Sequence, residues 1–599
     1  MTRLISEREL AFLLYEVLDT EKLAGRARYA DYSRDAFDAI LAAARRLAVD
    51  HFSSHYHKGD EHEPRFESGA VSVIEETGAA WRAFADAGFL SAHWDAEQGG
   101  LGMPEVVLRA ALALFFGANA ATAGYAFLTI GASSLLRTFG TEEQKRRYLP
   151  AMGDGRSAGT MCLTEPGQGS ALGDIKTSAV LQPDGSYRIF GQKMFISGGD
   201  QNFTDNIVHM VLARIQGEPN GAKGISLFLV PKWLIDDDGK SRERNDVALS
   251  GLLHKMGWRN TTSTVLSFGE RDGAVGYLIG QKNGGLAHMF QMMNEARIGV
   301  GLIAASLACR GFSESLAYAR ERRQGRLPSQ KDPHSEQVTL IEHADVRRLL
   351  IAQKAVSEGA LALCFYASSL FEDGHTHPDP AERERAALLL DLLTPVVKSW
   401  PAKHGCTSND MAMQVLGGSG YTREFPLEQL YRDQRLNPIH EGAEAIHGID
   451  LLGRKVSMRG GAGLRAFCDT VEAEIALSAG HPGLHEFLKP LRAALTRLDT
   501  LTARLTAAQA DDPDFALANA TVYLDVFGTI VVAWLWLKAA RVACNALETA
   551  TGDSRAYYSG KVQTARYFFK WELPATQAQF DLLETFERTP FDMKDEWFL

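Results

Sequence analysis

From about residue 159 to about residue 270 the chain stops reading as helix, and that break constrains the fold more than any other feature. The runs SYRIFGQKMFIS, NIVHMVLARI and GISLFLVP are short, rich in β-branched and aromatic residues, and separated by turns such as PDG and EPNG. Such runs read as strands, because branched and aromatic side chains pack well on a pleated surface while Gly, Pro, Asn and Asp punctuate it. On either side, segments such as AFDAILAAARRLAVDHF and GGLAHMFQMMNEARIGVGLIAASLACRGFSESLAYARERR set apolar residues at helical spacing. A small β domain therefore interrupts a helical chain. At 599 residues the chain exceeds what one core can serve, and roughly three or four domains are expected.

The expected division is a helical domain over 1–158, a β domain over 159–275, a second helical domain over 276–456 and a helical extension over 457–599. Within the first domain, EQGGLGMP is a loop marked by Gly and Pro, and RGGAG at 459–463 reads as a linker before the Ala- and Leu-rich extension. The fold class is thus mostly α with a central β domain, without internal repeats.

Hydrophobic residues at 45% and charged residues at 23% are ordinary globular usage, enough to bury large cores. A net charge of −11 argues against nucleic-acid binding, which needs a basic face. The six cysteines form no CxxC pair and read as buried free thiols of a reducing compartment, with no metal site. Glu7, Glu9 and Glu16 interrupt the apolar N-terminal pattern, so a helix is expected there rather than a secretory signal. The most apolar stretch, Val526 to Leu537, falls short of the ~20 residues that span a bilayer. The expectation is a cytoplasmic protein without a membrane span.

Four segments carry chemistry. TEPGQGS at 164–170 is a turn whose Pro166, Gly167 and Gly169 let backbone approach a flat ligand, with Thr164 and Ser170 adding hydroxyls. FGQKMFISGG at 190–199 is a strand ending in Ser197 and two glycines. LAYARERRQGR at 316–326 gathers Arg320, Arg322, Arg323 and Arg326 near a helix end, suited to a diphosphate. The segment from Gln414 to Val456 contains GG, RD and IHEG, and places Glu441 in a Gly-containing turn.

In this order the segments resemble the acyl-CoA dehydrogenase family, in particular its long branch with an extra C-terminal helical domain. The likeness runs through nearly the whole chain and is strongest at 161–199, 253–300 and 411–456. It implies a helical bundle, a β-barrel-like middle domain and a second bundle, with FAD at their junction and shared with a neighbouring subunit. By that resemblance Cys162, Thr164, Gly169, Ser170 and Ser197 contact the flavin, and Phe195 packs against its ring. Arg322 and Gln324 meet the cofactor diphosphate across the subunit boundary, while Gln414, Gly417 and Gly418 meet its nucleotide half. Ser170, Asn294, Arg297 and Gly442 are the implied substrate-binding positions, although Arg297 reads equally well as a structural ion-pair residue. Glu441 takes the place of the catalytic base. Some relatives draw the base from the helix holding MMNEAR, but that position is Ala296 here. Glu295, one residue away and so rotated by about 100°, should point elsewhere.

The chemistry implied is removal of an α-proton by Glu441 and of a β-hydride by FAD, with a polarised thioester carbonyl between them. Electron-transferring flavoprotein is the implied acceptor, an oxidase using oxygen the nearest alternative, and a non-catalytic flavoprotein paralogue a third. DNA-associated relatives need a basic C-terminal surface, whereas residues 457–599 hold 14 Lys/Arg against 18 Asp/Glu. The extension is expected to cover the face through which shorter members form tetramers, leaving a homodimer. Three departures stand out in EGAEAIH and just before it. Ala443 replaces the usual Thr, His447 the usual Gln, and His440 a common Tyr. Tyr125 and Phe127 either shorten the acyl cavity or belong to ordinary core.

Overall fold

The structure, a computed structural model, describes residues 3–236 and 240–599; the side chains of residues 241, 242 and 290–293, which include both Met of the MMNEAR motif, lie outside the described residues. The chain forms two compact units, Asp35–Gly299 on the one hand and Arg3–Arg34 with Val300–Leu599 on the other.

The first unit opens with helices α1 (Arg34–Leu47), α2 (Glu75–Asp86), α3 (Glu105–Phe139) and α4 (Glu142–Gly153). Thr141 starts α4 with a capping box, its hydroxyl accepting from Gln144 N at 3.2 Å while Gln144 Oε1 accepts from Thr141 N at 2.9 Å. The α3 helix is interrupted at Asn119 (φ −162°, ψ 90°), whose Oδ1 accepts from Thr122 N at 3.2 Å and so restarts the helix.

An eight-stranded sheet follows: β1 (Ser157–Cys162), β2 (Ser178–Leu181), β3 (Tyr187–Ser197), β4 (Asn206–Ile215), β5 (Ile225–Pro231), β6 (Val247–Leu252), β7 (Ser263–Phe268) and β8 (Ala274–Ile279). Pairings β3–β8, β8–β5, β5–β4, β4–β2 and β2–β3 close a ring of five. β1 adds in parallel to β4, and β7 then β6 extend from the far half of β3. The β-barrel-like domain is therefore present. Alternation explains its run of unbroken apolar residues. Val211, Ala213 and Ile215 of β4 turn inward with Ile189, Phe228 and Phe268, whereas Val208, Met210 and Leu212 face Ala132, Leu135 and Met152 of the helices.

The second unit holds the rest of α5 (Gly285–Glu321) from residue 300, then α6 (Ala344–Thr376), α7 (Pro380–Leu416), α8 (Leu427–Gln434) and α9 (Glu444–Asp450). The extension follows as α10 (Met458–Ser478), α11 (His485–Ala508), α12 (Ala520–Leu547), α13 (Gly552–Tyr567) and α14 (Leu573–Glu584). The RGGAG segment is a left-handed turn at Arg459, Gly460 and Gly461. The extension is docked on the bundle: Trp536 Nε1 donates to Ala355 O at 3.0 Å and Trp400 Nε1 to Thr529 Oγ1 at 3.2 Å. Buried Lys561 of α13 joins Glu9 (2.5 Å) and Glu358 (2.8 Å), so the start of the chain packs here.

The expectation that no segment is long enough to span a bilayer needs correcting. Glu105–Phe139, Ala344–Thr376 and Pro513–Leu547 are each long and apolar enough by length and composition. Their most apolar windows are 100%, 89% and 83% buried within the protein, so their apolarity is accounted for by neighbouring helices and strands. Counting consecutive apolar residues missed them because isolated polar residues interrupt each run. The six cysteines are free thiols, three of them buried.

Candidate active site

In the first unit the turn after β1 is built on a buried ion pair that the motif reading did not single out. Lys193 Nζ of β3 lies 3.0 Å from Glu165 Oε1 and 2.9 Å from Leu163 O, and Glu165 also accepts from Lys176 N (2.7 Å) and Thr177 N (2.9 Å). Burial opposes ionisation of Glu165, but Lys193 and these donors outweigh it and hold its carboxyl below the ordinary value. With Glu165 pinned, Gly167, Gly169 and Ser170 stand exposed, and Cβ atoms added at the two glycines would meet nothing within 4 Å. Thr164 O accepts from Met194 N at 3.0 Å, which brings Thr164 beside Phe195.

Phe195 has φ +58°, rare for an aromatic residue, and is 61% exposed. Strain of this kind persists where surroundings impose it, and here it presents a bare ring beside an open glycine turn. Ser197 ends β3, half-buried and paired with Ser263. The Cys162 thiol is in the barrel core, pushed up to about 12 by burial. Thr164 thus stands beside Phe195 at the end of β3, and Gly169 and Ser170 are exposed in the turn that follows Thr164.

Of the two readings open for Tyr125 and Phe127, the contacts support ordinary packing. Tyr125 accepts from Thr262 N at 2.8 Å and donates to Asn260 O at 3.3 Å, fastening α3 to the barrel, and Phe127 packs edge-on against Phe116 with centroids 5.9 Å apart. On α5, Arg297 is buried and Asn294 and Glu295 are half-buried. The Glu295 carboxyl is raised to about 7 by burial and by Glu105, against the opposing pull of Arg109, Ser134 and Arg137. Its environment is therefore made by charged and polar groups from both ends of α3.

In the second unit Arg322 and Gln324 follow the end of α5 with exposed side chains, as do Gln414, Gly417 and Gly418 at the end of α7. Tyr318 Oη, one turn before Arg322, donates to Ser419 Oγ at 3.2 Å and ties the two ends together. A helix end carrying Arg320, Arg322 and Arg323 thus lies beside a glycine loop.

Glu441 stands in a turn with φ +53°, followed by Gly442 at φ +96°. Left-handed backbone costs an L-residue about 1–2 kcal/mol, so something must hold it. His447 Nε2 lies 3.2 Å from Glu441 O and 3.0 Å from Gly442 O; because carbonyls only accept, this nitrogen carries the proton. From the other side Lys398 Nζ, on α7 and fully buried, donates to Gly442 O at 2.6 Å. Gly442 cannot be other than glycine without movement, since an added Cβ would sit 2.8 Å from His447 Nε2. His440 is pushed down to about 3 by burial, with the Lys398 charge adding to it, and is neutral at ordinary pH. Ala443 is the N-cap of α9 and makes no side-chain cap bond. The sequence reading passed over Lys398 altogether and saw His447 only as a departure.

A five-strand barrel with helices before and after it in the chain has the element order of an acyl-CoA dehydrogenase-type fold. Family profiles match along the chain: acyl-CoA dehydrogenase N-terminal domain at 35–156, middle domain at 160–270, C-terminal domain at 283–456, and acetyl-CoA dehydrogenase C-terminal like at 464–594. The broad-specificity linear acyl-CoA dehydrogenase FadE5 of Mycobacterium tuberculosis is 34% identical, with 99% of each chain covered. The 3-methylmercaptopropionyl-CoA dehydrogenase of Ruegeria pomeroyi is also 34% identical, with 97% of each covered. Among solved structures, an acyl-CoA dehydrogenase complexed with FAD from Bacillus anthracis superposes with a TM-score of 0.76 at 21% identity, covering 95% of this chain and 90% of that one. The chain belongs to the acyl-CoA dehydrogenase family.

Proposed function

We propose that this protein catalyses FAD-dependent α,β-dehydrogenation of an acyl-CoA thioester to the trans-2-enoyl-CoA, with Glu441 as the base. The observation that carries the reading is the Glu441–Gly442 turn, a strained backbone braced by Lys398 and His447 on a carboxylate that the family resemblance makes the base. FAD, when bound, supplies the hydride acceptor. The residues that would hold it are Thr164, Gly169, Ser170, Phe195 and Ser197 for the ring, and Arg322, Gln324, Gln414, Gly417 and Gly418 for the remainder. The exposure of Gly169, Ser170 and Phe195 and of the Arg322–Gln324 and Gly417–Gly418 segments, with their open glycines, suits a planar ring and a diphosphate.

Glu441 accepts the α-proton, and its own backbone N–H is the donor the resemblance gives to the thioester oxygen, where negative charge gathers as the proton leaves. His440, kept neutral, does not compete for that proton. Electron-transferring flavoprotein is the proposed acceptor, a homodimer the proposed assembly and the cytoplasm the proposed compartment. Names of full-length relatives support an acyl-CoA substrate.

The test is the visible spectrum of the purified protein, followed by anaerobic titration with butyryl-, octanoyl- and palmitoyl-CoA. A flavin spectrum that bleaches with at least one ester is expected. A flavin that no ester bleaches would favour a non-catalytic paralogue, and peroxide formed at the rate of aerobic turnover would make the enzyme an oxidase.

A further inference from the structure

The C-terminal extension reaches the base-bearing turn through two helices. On α9, three residues beyond Glu441, Glu444 Oε1 lies 3.5 Å from Lys403 Nζ of α7, and the same Lys403 nitrogen is 3.1 Å from Asp525 Oδ2 of α12. Asp525 is a hub, since it also meets His404 Nε2 at 2.9 Å and Gln579 Nε2 of α14 at 2.8 Å. Gly448 of α9 sits so close to the start of α12 that an added Cβ would lie 2.7 Å from the Ala520 carbonyl. One residue earlier, His447 makes its bonds to Glu441 O and Gly442 O, and from α7 Lys398 makes its bond to Gly442 O. Gly442 O thereby accepts from two helices at once, which uses both its lone pairs and fixes the plane of the following peptide.

We propose that Lys398 and His447 are positioning residues for the base, and that the C-terminal extension is the buttress that keeps them in place, with Asp525 and the Gly448–Ala520 contact as its points of support. The proposal rests on Glu441 being the base. A left-handed glutamate left to itself relaxes toward ordinary backbone, and the carboxylate moves with it. A displacement near 1 Å at a reacting group costs on the order of 10²-fold in rate while leaving distant binding contacts intact. The extension would thus act on kcat rather than on binding.

Three variants test this in the FAD-loaded full chain: His447→Leu, His447→Gln and Asp525→Asn. His447→Leu should slow flavin reduction by about ten- to a hundredfold, with FAD content and the acyl-CoA concentration for half-saturation little changed. In His447→Gln the amide N–H replaces Nε2–H, and the rate should return to within about threefold of wild type. Asp525→Asn should slow reduction by about two- to fivefold with the same split. Amide hydrogen exchange over 436–450 provides a readout that does not depend on activity, and should quicken in His447→Leu and in Asp525→Asn. If exchange there is unchanged in both, or if His447→Leu reduces its flavin within about twofold of wild type, the buttress is refuted. Should His447→Leu fail to fold, Asp525→Asn decides by the same two measurements. Wild-type flavin that no acyl-CoA bleaches would instead overturn the dehydrogenase reading, leaving hydrogen exchange to judge the buttress alone.

Discussion

Glu441 and Glu295 are the two carboxylates that the family resemblance brings into competition, and their surroundings differ in kind. Glu295 lies on a continuous helix, in a charged environment of Glu105, Arg109, Ser134 and Arg137. Glu441 lies on left-handed backbone, and Lys398 and His447 hold the carbonyls of the turn. A helix fixes a side chain's direction cheaply but only in steps of about 100°. A braced turn costs strain and aims the carboxylate in a direction no helix position supplies. The comparison sets a carboxyl in a charged cluster on a helix against one carried on a left-handed turn that two helices hold by its backbone carbonyls.

The largest expected effect separates the two at once. Glu441→Gln should keep FAD and acyl-CoA binding yet lose at least about 10²-fold in the rate of flavin bleaching. Glu295→Gln should bleach within a few-fold of wild type. A stopped-flow comparison in which Glu441→Gln is near normal and Glu295→Gln is dead would reverse the assignment.

Next is Gly442→Ala. It adds a Cβ where φ is +96° and where His447 Nε2 would lie 2.8 Å away, so the brace must shift. An activity loss of about tenfold or more is expected, with a stability loss of about 1–2 kcal/mol by urea denaturation. Unchanged activity would mean that the turn need not be held.

The pH dependence of stability separates the two regions more finely. Glu295 has a folded value of about 7 against an ordinary 4.5, so between those values the folded chain binds more protons. The stability it contributes is full below pH 4.5 and is lost as pH rises through 7. Glu295→Gln should therefore reduce the fall in stability between pH 5 and pH 8, by about 1–2 kcal/mol given its partial exposure. His440 has the opposite sign: its folded value near 3 lies below the ordinary 6.5, so its contribution is present above pH 6.5 and declines as pH falls toward 3. Histidine proton shifts followed by NMR should show His440 still neutral at pH 5; titration near 6.5 would place it in solvent.

The smallest effect is expected at Ala443. As an N-cap without a side-chain bond it leaves amides of α9 unserved, and Ala443→Thr should stabilise the protein by about 0.5–1 kcal/mol. A calorimetric melting temperature that does not rise would show that α9 is held by its tertiary contacts alone.

Much of the molecule follows from local patterns in its sequence. The switch to strands near Gly159, the turns that bound them and the amphipathic helices of the extension are periodicities of neighbouring residues, and the structure has a barrel and helices where they fall. The glycine turns at 167–169 and 417–418 were visible because glycine is a distinctive residue. What supports these features was not visible, for a physical reason. The bond from Lys398 to Gly442 O ends on a carbonyl, a group every residue has, so nothing in the sequence marks the acceptor. The Glu165–Lys193 pair spans 28 residues and the Lys561–Glu9 pair 552, and each lysine, read locally, looks like an ordinary surface charge. Only burial makes such charges pair, and burial belongs to the assembled fold. The sequence by itself determined which elements form and which residue types can do the chemistry. Only the tertiary structure decided which buried donors hold the turn at Glu441, and that residues 3–34 belong with Val300–Leu599 rather than with the helices that follow them.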